Sequence, residues 1–135
     1  MTFIESNIKT IHAEIEKMTI IDSHEHYVRE AILLGKTRGN VWMNMCFTYI
    51  ISPHFACNAL TEMLEMVPWN KIIGFGGDYT VVEKVYGHLV LARQVIAKAL
   101  AIKVCDGSMT IEKAVSLAHH MLYQNPKNLY KLGNR

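Results

Sequence analysis

The 135-residue chain reads as an α/β domain in which helices cover a parallel sheet. Three observations predict this. Apolar residues switch between helical and extended spacing to give the order helix, strand, helix, strand, helix, strand, helix, helix, with connections short enough for βαβ units. Lys71 to Tyr79, KIIGFGGDY, has the form of a short buried strand running to Phe75 and ending in Gly76, Gly77 and Asp78. IIDSHEH, far upstream, brings His24 and His26 to the end of a second extended stretch. In parallel α/β folds, side chains at the carboxyl ends of strands carry the chemistry.

Composition narrows the class. Half of the residues are hydrophobic and only three are proline, enough apolar material for one domain over residues 1–135. Fourteen basic against twelve acidic residues leave a formal charge of +2, with no dense Lys/Arg run, so nucleic acid is not an expected partner. The most apolar region, HLVLARQVIAKALAIKV, is broken by Arg93 and Lys98, so a membrane is not expected either. Cys46, Cys57 and Cys105 are odd in number and widely spaced, which suits reduced thiols in a cytoplasmic protein. The opening TFIESNIKTIHAEIEK is amphipathic and acidic, unlike a secretion signal.

The first helix follows from Ile4, Ile8, Ile11, Ile15 and Met18, which recur at helical spacing behind a Thr2/Glu5 capping box. Met18 to Asp22 turns β-like, and in an extended chain His24 and His26 point the same way while Glu25 faces elsewhere. That geometry suits a shared metal ion, or simply a polar strand end. Tyr27 to about Lys36 reads as a short helix, and Val41 to Thr48 as the next strand. After a loop from Tyr49 to Ser52, Ser52 and Pro53 cap a helix whose apolar face is Ala56, Leu60, Met63, Leu64 and Val67. His54, in its first turn, is expected in solvent.

Beyond Asp78, a Thr80/Glu83 capping box is expected to open a long helix with Val85, Leu89, Ala92, Ile96 and Leu100 inward, and His88 is read as structural. Asp106 and Gly107 turn the chain into a helix carrying Ala114, Leu117, Ala118 and Met121. His119 and His120 are adjacent there and face different directions. Asn125 and Pro126 start a final helix with Leu129 and Leu132 inward.

Taken together, IIDSHEH, NVWMNMCFTYIISP, VPWNKIIGFGGDY and the closing NPKNLYKL resemble, in that order, the amidohydrolase superfamily of metal-dependent hydrolases, whose barrel relatives include uronate isomerases. The resemblance implies that His24 and His26, after the first barrel strand, and Asp78, after the eighth, are ligands of a divalent metal, zinc by preference. It also implies that Asp78 is the catalytic base that takes a proton from metal-activated water. The implied reaction is hydrolysis of a small amide, ester or related carboxylate. A complete (β/α)8 barrel (TIM barrel) needs about 200 residues, so the fold expected here is a partial barrel. It would have three parallel strands, Lys71 to Phe75 central, Met18 to Asp22 on one side and Val41 to Cys46 on the other.

The middle of such a barrel, with its further ligands and substrate loops, is absent, which would impair catalysis. The alternative reading is therefore a non-catalytic barrel remnant that serves as an interaction or oligomerisation module. On either reading the outer strands would be open edges, so a homo-oligomer or a complementing chain is the expected partner, besides a small-molecule substrate if the chain is active.

Overall fold

Thr2 opens the first helix as expected. Its hydroxyl accepts from the Glu5 N–H at 3.3 Å and the Glu5 carboxylate accepts from the Thr2 N–H at 2.7 Å, so helix α1, Phe3–Ile15, starts with two of its orphan donors satisfied. The computed structural model describes residues 2–19 and 31–133. Ile11 and Ile15 bury one side of α1, which lies along the longest helix of the molecule. The chain then forms α2 (Ala31–Thr37), β1 (Met43–Asn44), α3 (Thr48–Ile51), α4 (Pro53–Met66), a 3-10 turn at Trp69–Lys71, and β2 (Ile72–Ile73). It ends with α5 (Val82–Cys105), α6 (Ile111–His119), a π-helical turn at His120–Gln124 and α7 (Asn125–Leu129).

The three-stranded α/β sheet, and with it the partial (β/α)8 barrel, is not what these residues build. Among the described residues the protein is largely helical, with a two-stranded parallel sheet in the register Met43↔Ile72, Asn44↔Ile73. The expected strand over Met18 to Asp22 falls mostly outside the described residues. The expected strand from Val41 stops at Asn44, because Cys46 takes a left-handed backbone and the Thr48 N–H returns to the Met45 carbonyl at 2.9 Å, starting α3 where a loop was expected. Met43 and Asn44 are both buried, so β1 is not an open edge.

The other side of β2 explains why no third strand is needed there. The Met45 N–H donates to the Ile73 carbonyl at 3.1 Å, so Ile73 faces β1 while Ile72 and Gly74, one residue to either side, face away. On that side the Gly74 N–H donates to the Met121 carbonyl at 2.9 Å, and Asn125 Nδ2 donates to the carbonyls of Ile72 and Trp69, each at 2.8 Å. The π turn makes this possible. The Asn125 N–H reaches back to the His120 carbonyl, five residues away, so the next such bond, to Met121, would have to come from Pro126. Proline has no N–H. The Met121 carbonyl is thereby available to β2, and Gly74 lets the turn come close, since a Cβ there would lie 3.2 Å from both Met121 Cβ and Leu122 Cδ2.

One apolar core joins these elements. Leu60 and Met63 of α4 meet Ile96 and Leu100 of α5, and Ile11, Ile15, Ala114 and Leu117 close it from α1 and α6. At α4 the Ser52 hydroxyl accepts from the Phe55 N–H at 3.2 Å with Pro53 in the first turn, as expected. At α5 the expected Thr80/Glu83 box is replaced by Val81, whose side chain makes no capping bond. Leu132, expected inward, is exposed. Among the described residues no helix is long and apolar enough to cross a membrane.

Charged groups tie the periphery. Lys71 is buried, and its Nζ donates to the carbonyls of Gly35, at 2.7 Å, and Arg38 at the end of α2. Lys103 pairs with Glu65 of α4 and, at 3.2 Å, with Asp106. The hydrogen bond that Lys103 donates to Glu65 is the main reason its ammonium is held above its ordinary range. The hydroxyl and then the N–H of Ser108, followed by Lys103, hold the Asp106 carboxyl below its ordinary range.

Two measurements check this account. Asn125→Ala strips the buried Ile72 carbonyl of its amide donor and takes one of two donors from the Trp69 carbonyl, and should lower the unfolding free energy by about 1–3 kcal/mol in urea titration. Asn125→Asp, which aims a carboxylate at the same carbonyls, should cost more. Because the folded-state pKa of Asp106 is depressed, its contribution is present above the ordinary carboxylate value and lost as pH falls through the depressed one. The difference in urea midpoint between wild type and Asp106→Asn should be constant above roughly pH 5 and vanish at lower pH. It should be small throughout, because the group is solvent-exposed.

Candidate functional site

Parallel pairing brings the exits of β1 and β2 to one edge of the sheet. At the exit of β1, Asn44 Oδ1 accepts the Cys46 N–H at 2.8 Å. Cys46 itself has φ 32°, a conformation that costs a residue with a Cβ about 1–2 kcal/mol. At the exit of β2, Phe75 and both following glycines are buried, and Asp78 emerges with its side chain exposed. Tyr49 of α3 ties the two exits together, its hydroxyl donating to the Gly74 carbonyl at 2.6 Å. Burial holds that phenol well above its ordinary pKa, so it remains a donor.

His88 of α5 completes the arrangement. It is only 1% exposed, and its Nε2 lies 3.1 Å from the Cys46 carbonyl. A carbonyl can only accept, so Nε2 carries a proton. Four aromatic rings surround the imidazole, with centroids 4.8 Å away for Phe75, 5.6 Å for Tyr79, 5.8 Å for Tyr49 and 5.9 Å for Phe47. Phe47 also meets the edge of Tyr79 at 5.4 Å. Asp78 therefore sits at the rim of a wall made of aromatic rings and one histidine. A groove of about 500 Å³ lies apart from this wall, lined by residues 40–42 leading into β1, by Asn44 and Ile73 of the sheet, and by Leu129 and Tyr130.

Of the residues expected at the site, Asp78 is at the shared strand exit, while His24 and His26 lie outside the described residues. Among the described residues, no three His, Cys, Asp or Glu side chains come together in a way that could hold a metal ion. His54 is exposed, as expected, and pairs with Asn58 at 3.2 Å. The rings of His119 and His120 diverge, 6.2 Å apart at 81°. His120 packs on Trp69, and burial, then His119 and Lys113, lower its pKa. Cys46, Cys57 and Cys105 form no disulfide.

Sequence reasoning read His88 as structural and missed its company. The signal was there in helical spacing, since His88 precedes the buried Ala92 and Ile96 by one and two turns. No protein-family model matches the chain, and no curated protein or solved structure matches it.

Proposed function

We propose that the chain is a metal-dependent hydrolase of the amidohydrolase type, in which His24, His26 and Asp78 bind a divalent metal and Asp78 is the catalytic base. The substrate class is a small amide, ester or related carboxylate. The observation that carries the reading is the exposed Asp78 carboxylate at the edge where both parallel strands end. Its chemistry fits the group it would hold, since a carboxylate with two imidazoles is a donor set that suits zinc. When bound, a divalent metal lowers the pKa of water and polarises a carbonyl. Asp78 accepts the proton released from the attacking water and returns it to the leaving group. Phe47 and Tyr79 offer an apolar wall beside it. Three cysteines without a disulfide suit the reducing cytoplasm.

Protein freed of metal by chelation and reloaded with Zn2+ should retain about one ion per chain, matching a catalytic zinc with three protein ligands. The His24→Ala, His26→Ala double variant should retain none. Asp78→Asn should lower Zn2+-dependent turnover of a panel of N-acyl amino acids and aryl esters by about 100-fold or more. Negligible zinc in wild type and variants alike would sink the assignment.

A second reading, an interaction module, is favoured by apolar side chains left in water. Leu33 and Leu34 of α2, Ile51 of α3, and Val82 and Tyr86 of α5 are all more than half exposed, Val82 reaching 79%. Light scattering should then find a dimer or larger species that Ile51→Glu with Val82→Glu converts to monomer. A wild-type chain that stays monomeric at high concentration would count against it.

A further inference from the structure

Cys46 is held in its left-handed conformation at both ends of its peptide geometry. Its N–H is taken by Asn44, two residues back on the same strand, and its carbonyl by His88, 42 residues away on α5. A residue with a Cβ keeps a positive φ only where its surroundings over-determine it. The same imidazole is packed against Phe47, the residue after Cys46, and against Phe75 and Tyr79, which lie on either side of Asp78 in the chain.

We propose that Asn44 and His88 are positioning residues for Asp78. Together they clamp Cys46, Cys46 fixes where Phe47 leaves β1, and Phe47 with the His88 ring supports the loop over residues 75–79 that carries the carboxylate. If the clamp opens, Cys46 relaxes to a negative φ, Phe47 turns away from Tyr79, and the loop loses its wall. His88 serves Asp78 only through this packing. The proposal rests on the reading of Asp78 as base and metal ligand, but the clamp has a readout of its own.

Three variants separate the bond from the ring. His88→Phe keeps an aromatic ring in the wall and removes the donor to Cys46. His88→Gln keeps an N–H donor and removes the ring. His88→Phe combined with Cys46→Gly removes the donor but allows the left-handed backbone without a clamp, since glycine accepts positive φ freely.

Amide exchange by mass spectrometry reads the loops over residues 46–48 and 75–79, and Zn2+ titration reads the proposed metal site. His88→Phe should speed exchange in both loops and weaken Zn2+ binding about tenfold, as loss of a ligand's supporting partner does. Adding Cys46→Gly should restore both, and His88→Gln should protect residues 46–48 better than His88→Phe. Unchanged exchange in His88→Phe, or faster exchange that Cys46→Gly fails to reverse, would overturn the clamp. If His88→Phe does not fold, Asn44→Ala, which removes the acceptor of the Cys46 N–H, with and without Cys46→Gly decides in the same way. Wild-type protein that takes up no Zn2+ would refute the metal reading alone, with the exchange measurement still deciding the clamp.

Discussion

The backbone of Ile72, Ile73 and Gly74 runs through the interior, where every unmet N–H or carbonyl would cost free energy, and the way these groups are met organises the molecule. Ile73 turns to β1, and Ile72 and Gly74 turn to Asn125 and Met121. One short strand is thus held from both sides, by a parallel partner and by a helical turn. The consequence is a largely helical protein that still has a strand exit, with two parallel ends opening on one edge. Pro126 contributes through what it lacks: without its N–H, the carbonyl at Met121 is left for β2.

From that edge the site is built outward. Tyr49 locks the exit of β2 through Gly74, and Asn44 and His88 lock the exit of β1 through Cys46. The aromatic rings around His88 close the interior side, so that the chain is buried up to Gly77 and exposed at Asp78. A carboxylate at such a boundary has water on one side and a packed wall on the other. On the proposed reading, such a setting keeps the base accessible.

Features decided by neighbours in the chain were legible. The Thr2/Glu5 box and the Ser52 cap with Pro53 follow from local residue chemistry, and the parallel pairing of the two hydrophobic stretches follows from the helix between them. What failed depends on distant partners. Asn125 reads as a helix start, and nothing local shows that its amide serves a strand more than fifty residues earlier. The apolar face of α5 was drawn through Val85, Leu89, Ala92, Ile96 and Leu100, and all five pack on the core, but the same helix also buries His88, whose aromatic surroundings come from distant residues. Resemblance to a barrel family suggested three strands. Packing of α1, α4 and α6 around α5 supplies the core that a larger sheet would otherwise provide. Of the three expected site residues, the structure bears on the position of Asp78 alone.

The distance along the chain between Ile72 and Asn125 sets an order of assembly. During synthesis from the amino terminus, β2 emerges with β1 already made, but the amide that meets the Ile72 carbonyl follows 53 residues later. At ribosomal rates of about 5–20 residues per second, that interval lasts several seconds. Through it, the Ile72 carbonyl and the Gly74 N–H lack the partners that Asn125 and Met121 later supply. The nascent chain is therefore most exposed to mispairing just before its last turn of helix arrives.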